Sequence, residues 1–195
     1  MFQKKKRTEE KKAPNGYEIL WEVYDWLEIF VFAASAVLLV FTFIARTAIV
    51  QGPSMENTLF EGQALIMSDL FYTPEKGDII VFQEKQSGYM EPIVKRVIAT
   101  EGDVVDIDFN TWTVTVNGEK LEETYVKREV GAMVNYMDGN DYPYTVPDGK
   151  VFVMGDNRNH SIDSRSRTIG AVDERFIIGE VKFRVWPLNK FGTVN

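Results

Sequence analysis

The chain of 195 residues has no cysteine and only one histidine. Without cysteine there can be no disulfide framework, no thiolate nucleophile and no cysteine-based metal site. A single histidine argues in the same way against a histidine-rich metal site. Ion sites built from Asp and Glu alone remain open, but no pattern points to one. We therefore expect neither a metal ion nor a cofactor.

Basic residues are also in short supply, with 22 Lys and Arg against 29 Asp and Glu, for a net charge of -7. A chain with this balance has no broad basic face to neutralise phosphates, so we expect no nucleic-acid partner. What the chain does have is apolar: 45% of its residues are hydrophobic and 13% are aromatic. This length and composition suffice for a membrane anchor followed by one packed domain.

The positive charge is concentrated at the amino terminus. Residues 1–12 carry six basic and two acidic side chains, and residues 29–45 then run for 17 positions without a formal charge. Such a run is at the short end of the length that crosses a bilayer as a helix. Trp21, Tyr24 and Trp26 precede it, where aromatic residues line a membrane interface. We predict a transmembrane helix at 29–45, with the amino terminus in the cytoplasm and the rest outside.

Two other interpretations of this segment are weaker. A cleaved signal peptide normally has a short basic leader and a small-residue cleavage site, whereas 28 residues precede this run and Ala45-Arg46-Thr47 is a poor site. A buried core helix is the other alternative, and 17 residues with apolar side chains on every face favour a membrane span over it. Residues 17–28 are also expected to be helical, so we interpret 1–28 as a cytoplasmic basic tail with an interfacial segment.

After the anchor, short strand patterns alternate with turn signals, which predicts a mostly β, antiparallel domain. Gly77-Asp78 leads into the strand pattern 79–82, residues 104–109 alternate between apolar and acidic side chains, and Asn117-Gly118 predicts a two-residue hairpin turn. Alternation at 181–185 and the apolar run 151–154 add two more strands. Residues 104–149 are richer in Gly and Pro. We divide the chain into a catalytic β core, 46–103 and 150–195, and an inserted β lobe, 104–149.

A serine and a lysine are the candidate reactive groups. Ser54 lies in the segment 52–59, which begins seven residues after the apolar run, and Lys95 lies in the strand pattern Ile93 to Ala99. On one strand face Lys95 would have apolar neighbours, and burial would lower the pKa of its amine until it could act as a base toward a serine hydroxyl. The opposite orientation, with Lys95 exposed and Arg96 directed inward to a salt bridge, is equally compatible with this strand.

The tract 155–165 (GDNRNHSIDSR) packs polar and charged residues directly after a strand. In one interpretation its four ionic residues form an ion-pair cluster that only fixes a loop. In the other, its hydroxyl, carboxylate and guanidinium groups orient a lysine amine. The four ionic residues are Asp156, Arg158, Asp163 and Arg165.

Four motifs in order carry a family resemblance: 54–59 (SMENTL) after an anchor, 77–82 (GDIIVF), 95–103 (KRVIATEGD), and 155–158 (GDNR) with 161–165 (SIDSR). Together they closely resemble those of bacterial type I signal peptidases. The resemblance runs from the anchor to the carboxyl end and weakens in residues 104–149. It implies a membrane-bound endopeptidase that removes signal peptides from exported preproteins on the outer face of the membrane. Its expected partners are these preproteins and the lipid bilayer, and we expect a monomer.

The resemblance also implies a role for individual residues. Ser54 matches the nucleophile, Lys95 the general base, and Ser161 a hydroxyl that hydrogen-bonds the lysine amine. Asp163 and Arg165 match a supporting salt-bridged pair, with Asp156 and Arg158 as further support. The Ser54 backbone N–H would hold part of the oxyanion, and residues 49–52 and 92–94 would clamp an extended substrate cut after small residues, as in Ala-x-Ala. The candidate substrate-binding residues are Gly52, Met55, Leu59, Ile93 and Val94.

The chain departs from the family pattern at three places. Asn57 stands where many relatives have proline, and Gly52 where some relatives have a serine that completes the oxyanion hole, so the second oxyanion donor is open. Two extra residues separate Ser164-Arg165 from Gly170. Either Arg165 or Arg167 could therefore take the expected place, and the spacing from Ser161 favours Arg165.

Other functions were weighed against this one. A triad of Ser54, His160 and Asp163 would be a common hydrolase site, but the position of His160 varies in the family. A non-catalytic membrane-anchored binding module would have no need of Ser54, Lys95, Ser161 and Asp163 together. A cytosolic self-cleaving repressor lacks an anchor and would need a DNA-binding segment. An accessory signal peptidase with a narrow substrate range stays open.

Overall fold

The computed structural model describes residues 16–43, 45–83 and 91–194, and it divides at Thr42/Phe43 into two compact units. The first contains one helix, α1 (Gly16–Phe43). Its stretch Ile19–Phe41 is long and apolar enough to cross a membrane, and none of it is buried, unlike a core helix. Residues 17–28 are helical as predicted, but the helix ends at Phe43 rather than at Ala45. Of the predicted cytoplasmic tail and interfacial segment, 1–28, residues 1–15 lie outside the described residues.

The second unit is built on an antiparallel sheet of eight strands. Its order is β1-β2-β11-β3-β4-β9-β10, and β12 pairs with β11. These strands are β1 (Arg46–Ile49), β2 (Ala64–Ser68), β3 (Ile79–Phe82), β4 (Ile93–Ala99), β9 (Lys150–Met154), β10 (Val172–Asp173), β11 (Ile177–Trp186) and β12 (Gly192–Thr193). The strands predicted at 79–82, 93–99 and 151–154 are therefore present.

A second antiparallel sheet has the order β7-β6-β5-β8. Its strands are β5 (Val104–Asp108), β6 (Thr113–Val116), β7 (Glu119–Lys120) and β8 (Tyr144–Thr145). Between β6 and β7, Asn117 and Gly118 have φ of 55° and 82°, which is the left-handed pair that a type I′ turn requires. The predicted hairpin is confirmed, and so is the mostly β, antiparallel fold class. The lobe boundary at 104–149 remains an interpretation.

Apolar side chains form clusters on both faces of the larger sheet. Val81 and Leu65 belong to one buried cluster, and Ile80 and Val97 belong to another. A third cluster joins the smaller sheet to β4 and β9 through Ile98 and other residues. β4 is consequently an interior strand, and every side chain from Lys95 to Ala99 is buried.

The strand predicted at 181–185 is present within β11, but buried and exposed side chains do not alternate along its whole length. Val181 is buried, but Phe183 is 43% exposed. The pairing of β11 with β2 shifts register between Val181 and Phe183, as a β-bulge does. One extra residue moves all later side chains to the other face, because side chains alternate with a period of two.

Candidate active site

Ser54 lies in a turn after β1, and the tract that follows β9 holds its backbone. The Asn157 N–H donates to the Ser54 carbonyl oxygen at 3.0 Å, and the Asn157 side-chain amide donates to the Pro53 carbonyl oxygen at 3.1 Å. At Gly155 a Cβ atom would lie 2.5 Å from the Ser54 carbonyl oxygen. Only glycine fits such an approach, so the motif's first residue has a packing role.

The amine of Lys95 lies against the serine hydroxyl. Lys95 Nζ is 2.9 Å from Ser54 Oγ and donates to the Val94 carbonyl oxygen at 3.0 Å, and the side chain is almost completely buried. Burial lowers the pKa of the amine to about 8, although Asp163 acts in the opposite direction. At pH 7 about a tenth of this amine is therefore unprotonated and can accept a proton, and that fraction grows as the pH rises toward 8.

The neighbouring Arg96 is buried as well. Arg96 Nε and Nη2 each lie 2.9 Å from a carboxylate oxygen of Asp156, and the guanidinium stacks 4.0 Å from the centre of the Tyr125 ring. Thr58 also donates a hydrogen bond to Asp156. The two orientations weighed for this strand are thus not exclusive, because Lys95 and Arg96 both point into packed interior.

The ionic residues of the tract 155–165 do not form one cluster among themselves. Asp156 pairs with Arg96, whereas Arg158 pairs with Glu123 of the segment that follows β7. Within the tract, Asp163 and Arg165 pair at 2.8 Å, with both side chains wholly buried. Three buried ion pairs therefore tie the tract to β4, to the 121–127 segment and to itself.

The Asp163–Arg165 pair is bidentate and extends to the backbone. Arg165 Nε and Nη2 donate to the two Asp163 oxygens, and Nη2 also donates to the carbonyls of Arg158 and Ser161. Burial would raise the pKa of Asp163, but the Arg165 guanidinium and hydrogen bonds from Gly155 and Ser161 outweigh it and lower that pKa. The carboxylate therefore stays ionised beneath the site.

Ser161 has a different partner from the expected one. Its hydroxyl donates to Asp163 Oδ2 at 2.8 Å, and no hydrogen bond joins it to Lys95 within the described part of the chain. The carboxylate is the stronger acceptor because it is charged. Ser161 is nevertheless buried next to the site, since a Cβ added at Gly155 would collide with its hydroxyl.

Burial distinguishes the two arginines, Arg165 and Arg167, that could match the arginine of the family's salt-bridged pair. Arg165 is buried in the pair just described, whereas the Arg167 side chain is 61% exposed and reaches the fully exposed Asp141 at 3.3 Å. The added residues contact the segment before β8: Ser166 and Thr168 both donate to Asp138.

An apolar cleft of about 620 Å³ opens beside Ser54 and Lys95. Met55, Ile93 and Val94 line it, together with β1 and Ile162. Leu59 does not, because its side chain is completely buried in the cluster with Leu65 and Val181, which argues against its predicted contact with substrate. The other residues along the cleft are Thr47, Ala48, Ile49, Val50, Gln51, Met67, Val81, Glu91 and Pro92.

Gly52 and the segments on either side of the cleft also differ from expectation. Gly52 is absent from the cleft lining, and its φ of +72° favours glycine. β1 ends at Ile49, so residues 50–52 are not a strand, and Val50 instead bonds to Gln63. Residues 92–94 precede the first pairing of β4 with β9, which begins at Arg96.

The side chain of His160 contacts Glu129 rather than the serine. That side chain is exposed, and Nε2 lies 3.1 Å from Glu129 Oε1. No hydrogen bond connects it with Ser54 or Asp163 in the residues that the structure describes. In the ranges 16–43, 45–83 and 91–194, no group of three or more His, Asp and Glu side chains is arranged to hold a metal ion.

Several residues of the site were not found from the sequence. Glu123 and Tyr125 lie in the segment of the chain with the weakest pattern, and nothing in their neighbours indicates a buried ion pair or a stacked ring. Thr58 and Asn157 lie inside motifs that were recognised, but their partners are distant along the chain. Only a count of buried charge that includes Arg96 could have suggested Glu123, because three arginines then face the two aspartates of the tract 155–165.

The fold and the site define the class of protein: an antiparallel β domain with a serine hydroxyl against a buried lysine amine beside an apolar cleft is a serine peptidase, a hydrolase. The family model described as "Signal peptidase, peptidase S26" matches residues 23–186. The chain belongs to this family, and its activity is that of a signal peptidase I.

The sequences of several relatives align with nearly the whole of this chain. A signal peptidase I of Bacillus licheniformis is 34% identical over 189 residues, which cover 93% of this chain and 96% of the relative. A signal peptidase IB of Staphylococcus aureus (strain COL) is 32% identical over 184 residues, covering 87% and 93%. A signal peptidase I of Bacillus amyloliquefaciens is 32% identical over 195 residues, covering 97% of each chain.

Proposed function

We propose that the protein is a membrane-anchored signal peptidase I that cleaves exported preproteins after small residues, with Ser54 as nucleophile and Lys95 as general base. The observation that carries this proposal is the 2.9 Å separation between Lys95 Nζ and Ser54 Oγ, with the amine buried. A lysine in this position replaces the histidine of other serine peptidases. Its lowered pKa fits the requirement that a general base be unprotonated near the working pH.

The reaction proceeds in two stages. Lys95 takes the proton of Ser54 as Oγ attacks the carbonyl carbon at the cleavage site, and the resulting ammonium passes that proton to the leaving amine. The C–N bond breaks, and the signal peptide remains as an ester on Ser54. Lys95 then deprotonates a water molecule that attacks the ester, and the proton returns to Ser54 Oγ. No metal or cofactor is required at any step.

The cleft supports an extended substrate. Among the described residues, no strand pairs with residues 92–94 on the β9 side, so the backbone of a bound peptide can pair there as an added strand. Alternate side chains of that peptide then face Ile93, Val94 and the other apolar groups of the cleft. The proposed preference for Ala-x-Ala requires that these apolar groups form pockets shallow enough to accept alanine and crowd larger residues.

The buried ions around Lys95 support catalysis by holding the tract 155–165 against the serine. Asp163, Arg165 and Ser161 form one hydrogen-bonded unit, and Gly155 links this unit to the Ser54 backbone through its N–H bond to Asp163. Asp156 and Arg158 fix the two ends of the adjoining turn. These groups act on Lys95 and Ser54 by position and charge rather than by contact with substrate.

The test is cleavage of a labelled preprotein containing an Ala-x-Ala site by the detergent-solubilised protein, with the cut mapped by mass. Wild type is expected to cut after the second alanine, and Ser54→Ala and Lys95→Ala are expected to lose at least about 10³-fold in rate. Lys120→Ala, an exposed lysine, is the matched control and should cut at the wild-type rate. Activity retained in Ser54→Ala or Lys95→Ala would reject the pair.

A panel of preproteins tests the range of substrates. Cleavage of most members indicates a general enzyme, cleavage of one or two indicates an accessory enzyme, and no cleavage of any member indicates a binding module without activity. Light scattering of the solubilised protein would show whether it is the expected monomer.

The anchor and its orientation are part of the proposal. The apolar length of α1 and the basic residues before it support one membrane span with a cytoplasmic amino terminus. Because the chain has no cysteine, single-cysteine variants report sidedness directly. A membrane-impermeant maleimide should label Arg128→Cys on intact protoplasts and should label Thr8→Cys only after lysis. Labelling of Thr8→Cys on intact cells would reverse the topology.

A further inference from the structure

Asn157 begins a short 3-10 helix, Arg158–His160, but does not cap it. An asparagine at this position normally accepts a hydrogen bond from a backbone N–H of the first turn. Here no such side-chain bond forms, and the amide Nδ2 donates instead to the Pro53 carbonyl oxygen at 3.1 Å, 104 residues away in sequence. The Asn157 side chain is 1% exposed. The Asn157 side chain therefore contacts Pro53, the residue before the serine, instead of capping the 3-10 helix.

The Pro53–Ser54 peptide links this contact to the chemistry. The peptide is trans, because the described cis bonds are those before Pro143 and Pro187. In a planar trans peptide, the C=O and the following N–H point in opposite directions. A donor that fixes the direction of the Pro53 C=O therefore also fixes the direction of the Ser54 N–H. That N–H has no acceptor among residues 16–43, 45–83 and 91–194, so it is available to a substrate.

We propose that Asn157 is a positioning residue, which orients the Ser54 N–H toward the oxyanion of the tetrahedral intermediate by holding the Pro53 carbonyl. The inference rests on the proposed function, in which Ser54 is the nucleophile. Asn157 is buried and does not line the cleft. Its contribution lies in the pre-set direction of one donor, which matters only when negative charge develops on the substrate oxygen.

Two further contacts make this a specific role for the Asn157 amide. The Pro53 carbonyl accepts one other hydrogen bond, from the Glu56 N–H at 3.1 Å within its own turn. Without the Asn157 amide, the Pro53–Ser54 peptide would keep the hydrogen bond from Glu56 but could rotate about it. The other end of the amide, Oδ1, is buried and has no partner among the described residues. The Nδ2 bond to Pro53 is therefore the one that the side chain contributes.

The orphan Oδ1 permits a clean substitution. Asn157→Leu has a similar shape and removes the Nδ2 donor, and no other side-chain hydrogen bond is lost with it. The backbone N–H of residue 157 keeps its bond to the Ser54 carbonyl in this variant. Asn157→Ala removes the same donor and also leaves a cavity, so a comparison of the two separates the hydrogen bond from packing. Asn110→Ala, at an exposed asparagine outside the tract 155–165, is the matched control.

Steady-state kinetics on a preprotein then test the role. Asn157→Leu and Asn157→Ala are expected to lower kcat about 10- to 100-fold, as small misplacements of a catalytic group do, with KM unchanged. The pH dependence of kcat/KM should keep its wild-type midpoint, because Lys95 and its bond to Ser54 are intact. A residue that served only the fold would instead lower Tm and raise KM or shift that midpoint.

A peptide boronate provides an independent measurement. It forms a tetrahedral adduct with a serine hydroxyl and places an oxygen where the oxyanion develops. Its affinity for Asn157→Leu should fall by the same factor as kcat/KM. The uncleaved preprotein should bind equally well to Ser54→Ala with and without Asn157→Leu. Equal boronate affinity for wild type and Asn157→Leu would overturn the positioning role.

The outcomes also separate this inference from the proposed function. If Ser54→Ala and Lys95→Ala are inactive but Asn157→Leu cleaves at the wild-type rate, the positioning role is wrong and the Ser54–Lys95 pair stands. If Ser54→Ala retains activity, the pair itself is wrong, and the inference falls with it.

Discussion

Lys95 and Arg96 are consecutive residues of β4, and both of their side chains are buried, on opposite faces of the sheet. The Arg96 guanidinium meets a carboxylate, Asp156, in a bidentate pair. Within the described residues, the hydrogen-bond partners of the Lys95 amine are both neutral: the Ser54 hydroxyl and the Val94 carbonyl. Both cations lose hydration, but the guanidinium regains a direct counter-charge and the amine does not, so burial lowers the pKa of Lys95.

The first prediction concerns the pH dependence of cleavage. Because burial lowers the pKa of Lys95 to about 8, kcat/KM should rise with pH as the amine loses its proton and should level off above that value. Lys95→Arg, whose guanidinium does not deprotonate, should stay inactive at every pH. The measurement is the initial cleavage rate at low substrate between pH 5 and 9. A flat wild-type profile over this range would contradict the assignment of the base.

The second prediction concerns the pH dependence of stability. Burial of Lys95 disfavours its charged form, whereas an ion pair would favour the charged form. The folded pKa of Lys95 lies below its unfolded value of 10.5, so the unfolded chain binds more protons between these two values. The free energy of unfolding should therefore increase with pH from about 8 to 10.5, by about 3 kcal/mol in total. Below pH 8 the cost of burying the charge is fully present.

Comparison with Lys95→Met isolates this contribution from the other titrating groups. The difference in free energy of unfolding, wild type minus Lys95→Met, should grow across this pH window and stay constant below it. Urea denaturation followed by tryptophan fluorescence measures it, since Trp112 is buried. A difference that falls with rising pH would mean that Lys95 is buried as a cation.

The third prediction uses the two arginines that the sequence leaves in competition. Arg165→Lys should destabilise the domain by about 3–5 kcal/mol, because one ammonium cannot replace a bidentate guanidinium and Asp163 would lose part of its compensation. Arg167→Lys, in an exposed pair, should change stability by no more than about 0.5 kcal/mol. Thermal unfolding of both variants is the measurement. Equal shifts in Tm for the two variants would contradict the expectation that the buried Arg165 contributes more to stability than the exposed Arg167.

Local patterns were sufficient for much of the fold. Asn117-Gly118 predicted a turn that the positive φ of both residues confirms, and the alternation at 104–109 matches a strand whose Val105 and Ile107 are buried. These features depend on neighbours in sequence. The exposure of Phe183 could not be predicted in the same way, because a bulge is fixed by the pairing of β11 with β2 and not by β11 alone.

The residues of the site can be divided in the same way, into those that local motifs predict and those that depend on distant contacts. Ser54, Lys95, Asp163 and Arg165 could be chosen because they lie in short motifs that resemble those of a known family. Their partners could not, since Glu123 reaches Arg158 from 35 residues away and Arg96 reaches Asp156 from 60. Such pairings depend on how the two sheets and their connections fold over one another, which no local period encodes.

The fourth prediction follows from the difference between Leu59 and Ile93, which the motif alone made equivalent. Leu59 is completely buried in the core, so Leu59→Ala should destabilise the domain by about 2–5 kcal/mol and leave the choice of cleavage site unchanged. Ile93 is half-buried and lines the cleft. Ile93→Ala should enlarge a pocket, and the variant should cleave preproteins that carry valine or leucine in place of alanine near the cut.

The measurement is the ratio of kcat/KM for matched preproteins with alanine or leucine at the position before the cut, and at the third position before it. Ile93→Ala should shift one of these ratios toward leucine by about 10-fold or more, because one or two methylene groups in an apolar pocket are worth about 1–3 kcal/mol. The Leu59→Ala ratios should equal those of wild type. A changed preference in Leu59→Ala, or none in Ile93→Ala, would mean that the cleft beside Lys95 does not select the residues next to the cut.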